Sequence, residues 1–107
     1  MAKLSKEMDV EMPKGYIVVS YLESPKDEKL YNYAPKALEA MTNAGAKFIV
    51  RGMPVRTFEN GIMQRTVIAE FDSTEAAEAA FTSDTYKAAF ALLGDVKRDV
   101  RVIEGLE

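Results

Sequence analysis

Lys47 to Phe71 reads KFIVRGMPVRTFENGIMQRTVIAEF, and the fold turns on how this stretch divides. Lys47 to Arg51 is rich in β-branched and aromatic residues and predicts a strand. Gly52-Met53-Pro54 interrupts it as a bulge or bend, because proline has no amide hydrogen to give a ladder. Val55 to Glu59 resumes the strand. Asn60-Gly61 is the signal of a two-residue type I′ hairpin turn, whose central residues both need positive φ. Ile62 to Phe71 is then the returning strand. What flanks this hairpin must supply the other layers.

Upstream, Tyr16 to Leu22 (YIVVSYL) is apolar on both faces and reads as a central strand. Ser24-Pro25-Lys26-Asp27 predicts a helix start, with Ser24 as cap, Pro25 at the first position and Asp27 closing a capping box. Leu30, Ala34, Ala37, Leu38 and Met41 make one helical stripe. Pro35 inside it predicts a kink or a separate first piece, and Gly45 a left-handed stop. Downstream, Asp72 or Ser73 caps a short helix whose inner face is Ala76, Ala77, Ala80 and Phe81. Ser83 or Asp84 caps a further helical turn carrying Tyr86, Ala89, Phe90 and Leu93, and Gly94 stops it. Val96 to Ile103 is the last strand.

The order strand, helix, hairpin, helix, strand is the β-α-β-β-α-β pattern of ferredoxin-like α+β domains, an antiparallel sheet with its helices on one face. The bare face predicts a homodimer. The domain is expected to span 15–107, after an N-terminal extension over 1–14. In that extension Met8, Val10 and Met12 alternate with Glu7, Asp9 and Glu11 until Pro13 ends the run. Alternation of period two predicts an extra edge strand from about Glu7 to Met12, and the competing reading is a frayed acidic tail.

Composition removes many chemistries. The 107 residues include no cysteine and no histidine. Disulfides, thiolate or imidazole metal sites, and Ser-His-Asp or Cys-His catalysis are therefore ruled out. No DxDxDG-type carboxylate spacing appears, and no metal or cofactor is expected. Net charge is −3, which implies no basic face for nucleic acid. No stretch approaches the roughly 20 apolar residues of a membrane span, and Met1 to Gly15 lacks an apolar signal core. A cytoplasmic protein is expected.

With Asn60-Gly61 at the turn, Glu59 faces Ile62, Arg56 faces Arg65 and Arg51 faces Glu70. One sheet face then holds Phe48, Val50, Gly52, Val67, Ala69 and Phe71. The other holds Arg51, Val55, Thr66, Ile68 and Glu70, and a slip at Gly52 would exchange them. The Arg51–Glu70 pair has two readings: an orienting ion pair at a subunit interface, or an anchor in which Arg51 holds a carboxylate-bearing ligand while Glu70 serves as base or orients it. The ligand-binding candidates are Arg51, Glu70, Arg65 and Tyr86, with Tyr33 behind them. Arg65 and Glu70, five apart, point to opposite faces of a regular strand.

Lys47-Phe48-Ile49-Val50-Arg51-Gly52, Arg65 to Ser73 (RTVIAEFDS), Ala76-Ala77, Phe81-Thr82-Ser83 with Tyr86, and Ile103-Glu104-Gly105 stand in an order and spacing that resembles the domain of unknown function 1330 family, within the dimeric α+β barrel superfamily. The resemblance runs from about Gly15 to Gly105. It implies a ferredoxin-like fold and a homodimer with two sheets packed into a barrel, and it implies no known reaction. The chain departs from the family pattern at Asp72 and Asp84, where proline is usual, and at Ala80, where tryptophan is usual. A smaller residue there is expected to enlarge any pocket between helix and sheet. The expected function is binding or transforming a small carboxylate-bearing molecule without metal. The alternative is a non-catalytic dimeric binding or structural module.

Overall fold

The strand Gly15–Tyr21, β1, alternates buried and half-buried residues along its whole length, with Ile17, Val19 and Tyr21 on the buried side. It can do so because both its edges are paired. In the structure, a computed structural model that describes residues 13–106, β1 pairs antiparallel with β3, Thr66–Phe71, and with β4, Arg98–Glu104. A further strand, β2, Lys47–Gly52, pairs antiparallel with β3, which gives the sheet order β2-β3-β1-β4. The expected edge strand at Glu7 to Met12 lies outside the described residues.

Helix α1, Asp27–Asn43, crosses from β1 to β2, and α2, Thr74–Phe81, and α3, Asp84–Phe90, lie between β3 and β4. This is the ferredoxin-like α+β topology that the sequence predicts. Ser73 caps α2 by accepting from the Ala76 amide at 3.1 Å, and Ser83 caps α3 by accepting from the Tyr86 amide at 3.1 Å. Gly45, at φ 104°, ends α1. The Ala46 amide reaches back to the Met41 carbonyl and the Gly45 amide to that of Thr42, the paired bonds of a Schellman ending.

Three local expectations are corrected. Ser24 does not cap α1; its hydroxyl donates to Gln64 Oε1 at 3.1 Å, and Lys26 holds the cap position with no side-chain bond. α1 also continues through Pro35 as one helix. The largest correction is the hairpin. Val55 to Glu59 does not resume β2, and β3 begins only at Thr66, so 53–65 is a loop. A turn does form there, closed by the Gly61 amide on the Phe58 carbonyl at 2.9 Å. Its central residues are Glu59 and Asn60, and Glu59 takes the positive φ of 52°. Pro54, without a donor, cannot carry the ladder past Gly52, so the turn has no strands to join.

The register differs as well. Phe48 pairs with Ala69, but Val50 pairs with Ile68 and Arg51 with Val67, with a bulge between Phe48 and Val50. Two residues of β2 there oppose one of β3, and every residue beyond the bulge changes face. Phe48, Arg51, Val67, Ala69 and Phe71 share the helix-covered face. Val50, Gly52, Thr66, Ile68 and Glu70 lie on the other.

The start of β1 is held close to α2. A Cβ on Gly15 would overlap the Ser73 carbonyl group and the Thr74 amide. These are backbone atoms fixed by the Ser73 cap, so they cannot move aside. Gly15→Ala should therefore destabilise the fold by about 1–3 kcal/mol, the range of overpacked sites, measured by urea unfolding; an unchanged midpoint would show that the contact relaxes freely.

Candidate functional site

The helix-facing side chains of the sheet are covered unevenly. α2 lies against β1, β3 and β4, whereas α1 packs chiefly on α3. Beneath α1 a cavity of about 60 Å³ remains. Its walls are mostly apolar, with Leu30, Ala37 and Met41 from α1 and Val19, Phe48 and Val67 from the sheet. Six polar side chains reach it: Tyr21, Tyr33, Tyr86, Arg51, Arg65 and Arg98. Among the described residues no carboxylate lines it. Ala80 is buried but is not part of the wall, so its small size does not enlarge this cavity.

Tyr33, Tyr86 and Arg98 form a connected group. The two tyrosine hydroxyls share a buried hydrogen bond of 2.6 Å. Arg98 donates through one terminal nitrogen to Tyr33 at 3.4 Å and through the other to Tyr86 at 3.3 Å. Its guanidinium carbon stands 4.9 Å from the Phe90 ring centre and 5.5 Å from that of Tyr21, close enough for aromatic faces to offset part of its lost hydration. Ser83 positions this group, because its cap bond goes to the amide of Tyr86 itself. Burial pushes the Tyr33 phenol well above its ordinary value, and the Tyr86 oxygen beside it adds to the effect. Burial also raises Tyr21, against the opposing pull of Arg98. For Arg98 burial disfavours the charge, but the Tyr86 and Tyr33 oxygens outweigh it and the guanidinium holds its proton more firmly than usual.

Of the four residues that the sequence nominates, the cavity gathers three: Arg51, Arg65 and Tyr86. Glu70 is not among them. The bulge leaves it on the opposite sheet face, across from Lys47, where it accepts a 2.8 Å hydrogen bond from the Tyr16 hydroxyl. The expected Arg51–Glu70 pair does not exist, since Arg51 stands across from Val67. Arg56 does not face Arg65 either; it lies in the loop, its guanidinium 5.8 Å from the Phe58 ring centre. Tyr33, ranked behind the others, is a full member of the site, and Arg98 is the residue that sequence reading missed. Its signal was present: Arg98, Val100 and Val102 alternate along β4, so an inward Val100 carries Arg98 inward with it. Arg65 also lines an open groove outside the cavity with Asp27 and Tyr31, so it stands at the boundary between the two.

Among the described residues there is no group of three acidic, histidine or cysteine side chains placed for a metal, and no helix long and apolar enough to cross a membrane. The family model for a domain of unknown function (DUF1330) matches residues 14–106. The chain belongs to this family. No curated protein matches it. Among solved structures, this family member is similar to a protein of unknown function from Rhodopseudomonas palustris, at 13% identity, TM-score 0.63, and 100% and 95% coverage of the two chains. It is also similar to a dimeric ferredoxin-like protein of unknown function from Thermobifida fusca, at 12% identity, TM-score 0.59, and 87% and 91% coverage. SnoaB, a cofactor-independent oxygenase from Streptomyces nogalater, matches at 7% identity, TM-score 0.56, and 92% and 96% coverage. At such identities the likeness establishes the fold alone.

The raised Tyr33 phenol makes stability depend on alkaline pH. Below about pH 10 the phenol is neutral in folded and unfolded chains alike. Above it the unfolded chain loses a proton that the folded one keeps, so stability falls as pH rises. Denaturant unfolding from pH 8 upward should show this decline beginning near the ordinary phenol value, and Tyr33→Phe should make it shallower. An identical slope in the variant would place the alkaline-sensitive group elsewhere.

Proposed function

We propose that this DUF1330 protein binds a small organic molecule bearing a carboxylate in the cavity beneath α1, and that it does so as a homodimer. One observation carries the binding reading: three arginines reach a mostly apolar cavity that no carboxylate among the described residues lines. Arginine does not give up its charge at any ordinary pH, and at Arg65 and Arg98, which are partly removed from water, that charge is favoured when an anion meets it. The ion pairs among the described residues, Lys14 with Asp72 and Arg101 with Asp99, involve none of the three. A carboxylate suits a guanidinium because it accepts two parallel hydrogen bonds from the planar fork. The space fits a modest body: at about 10–15 Å³ per water centre it holds roughly four to six waters, enough for one substituted ring or a short chain. Arg65, on the boundary with the outer groove, is the first cation an entering anion meets.

Calorimetric titration with benzoate and hexanoate, and with their neutral amides, tests the reading. The acids should bind, the amides should bind at least about tenfold more weakly, and Arg65→Gln should remove that preference. Equal binding of acids and amides would overturn it.

The dimer reading rests on the sheet face away from the helices. Val50, Ile68 and Val18 stand side by side there across three strands, Val50 40% exposed and the other two half-buried, and Ile103, 46% exposed, lies on the same face beside Tyr16. A row of apolar residues on a uncovered sheet face is the kind of surface that association buries. One structure of similar fold is described as dimeric. Light scattering should give twice the 11.9 kDa chain mass, and Ile68→Asp should return it to a single chain. A wild-type mass of one chain at micromolar concentration would remove the dimer from the proposal.

A further inference from the structure

The far end of the cavity has more hydrogen-bond donors than acceptors. The Tyr33 and Tyr86 hydroxyls carry two hydrogens between them, and one is used in their shared 2.6 Å bond. Whichever hydroxyl donates there, the other's hydrogen has no acceptor among the described residues. Arg98 brings five more donors. Its side-chain hydrogen bonds among the described residues go to the same two phenol oxygens, at 3.3 and 3.4 Å, long beside the roughly 2.7–2.9 Å of a charge-assisted bond. All three groups line the cavity.

The sheet register fixes where this end lies relative to Arg65. Tyr21 pairs with Arg98 across β1 and β4, and the Tyr21 amide bonds the Arg65 carbonyl at 2.9 Å. Arg65, Tyr21 and Arg98 therefore form one row across three adjacent strands. With strands roughly 4.8 Å apart, the Arg65 and Arg98 backbones stand about 10 Å apart, with Tyr21 between them. Anionic capture at Arg65 and a surplus of donors at Tyr33, Tyr86 and Arg98 are two separate polar ends joined by an apolar floor.

Resting on the carboxylate reading, we infer that the ligand carries a second oxygen at the end opposite its carboxylate, accepted by Tyr33, Tyr86 and Arg98. The class is a flat or short-chained hydroxy- or oxo-carboxylate, its body lying over Tyr21. An apolar terminus would leave the donors without an acceptor, and that is costly in a dry site. A hydroxyl, carbonyl or phenolate oxygen would satisfy them.

Matched pairs of probes test this on the whole protein: 4-hydroxybenzoate against 4-methylbenzoate, and 3-(4-hydroxyphenyl)propionate against 3-(4-methylphenyl)propionate. Methyl and hydroxyl are nearly equal in size, so a difference in calorimetric affinity reports the oxygen. In at least one pair the hydroxy acid should bind roughly tenfold more tightly, and Tyr86→Phe or Tyr33→Phe should shrink that ratio to within about twofold. Melting curves verify that each variant is folded. If both members of each pair bind equally, the second-oxygen inference is wrong and the carboxylate reading stands. If the variants weaken both members alike, the hydroxyls only maintain the cavity's shape and the inference is again wrong. If none of the four acids binds at about 10 mM, the carboxylate reading and this inference fall together.

Discussion

A strand sends alternate side chains to opposite faces, so one unpaired residue exchanges the faces of everything beyond it. The bulge between Phe48 and Val50 is that residue here. Without it Arg51 would stand on the open face and Val50 beneath α1. With it the apolar side chain goes to the bare face, and the guanidinium goes to the cavity. The arginine content of the cavity and the apolar character of the opposite face are thus two consequences of one extra residue in β2. This also explains why a two-residue turn at Asn60-Gly61 is not required. The bulge and Gly52-Met53-Pro54 end the ladder early, and the long loop absorbs the mismatch.

The core explains why there is a cavity to fill. Ala77, Ala80 and Ala89 are buried with Phe71 and Leu93. Short side chains on α2 let that helix approach the sheet closely, until the Gly15 backbone touches the Ser73 peptide. α1 presents longer residues, Leu30, Tyr33 and Met41, and rests on α3. It is held off the sheet by the tyrosine pair between α1 and α3, whose rings meet edge to face at 6.3 Å between centres. The same pair that supports the roof supplies the polar end of the cavity. Loss of either hydroxyl therefore touches stability and the site together, which is why stability and affinity must be read separately in those variants.

Much of this was legible in the sequence and the remainder failed for identifiable reasons. The element order, the Ser73 and Ser83 caps and the Gly45 stop follow from short-range chemistry, in which a side chain answers a backbone group a few residues away. Tyr86, Arg51 and Arg65, nominated from the sequence, line one cavity, but Glu70, the partner expected for Arg51, lies on the other face. Register over a hairpin is a count, and a bulge in KFIVR leaves no mark that composition shows. Arg98 is placed by strand alternation, but an arginine at the first position of a strand reads equally as a solvated end residue.

The placement of the arginines argues against a merely structural role for all three. A charge kept only to order the fold is usually paired within the fold, as Arg101 is with Asp99 on the open face at 2.9 Å. Arg98 instead has neutral oxygens and ring faces, which hold its charge without cancelling it. Arg51 and Arg65 line the same cavity, and like charges around one apolar space repel one another. Nothing in packing repays that repulsion, because an uncharged residue of similar reach would cover the same surface. In the proposed binding mode a bound anion offsets that repulsion by its attraction to the guanidinium groups. In that proposal cavity shape limits the anion's size, the arginines select its charge, and the hydroxyls of Tyr33 and Tyr86 select what its far end carries.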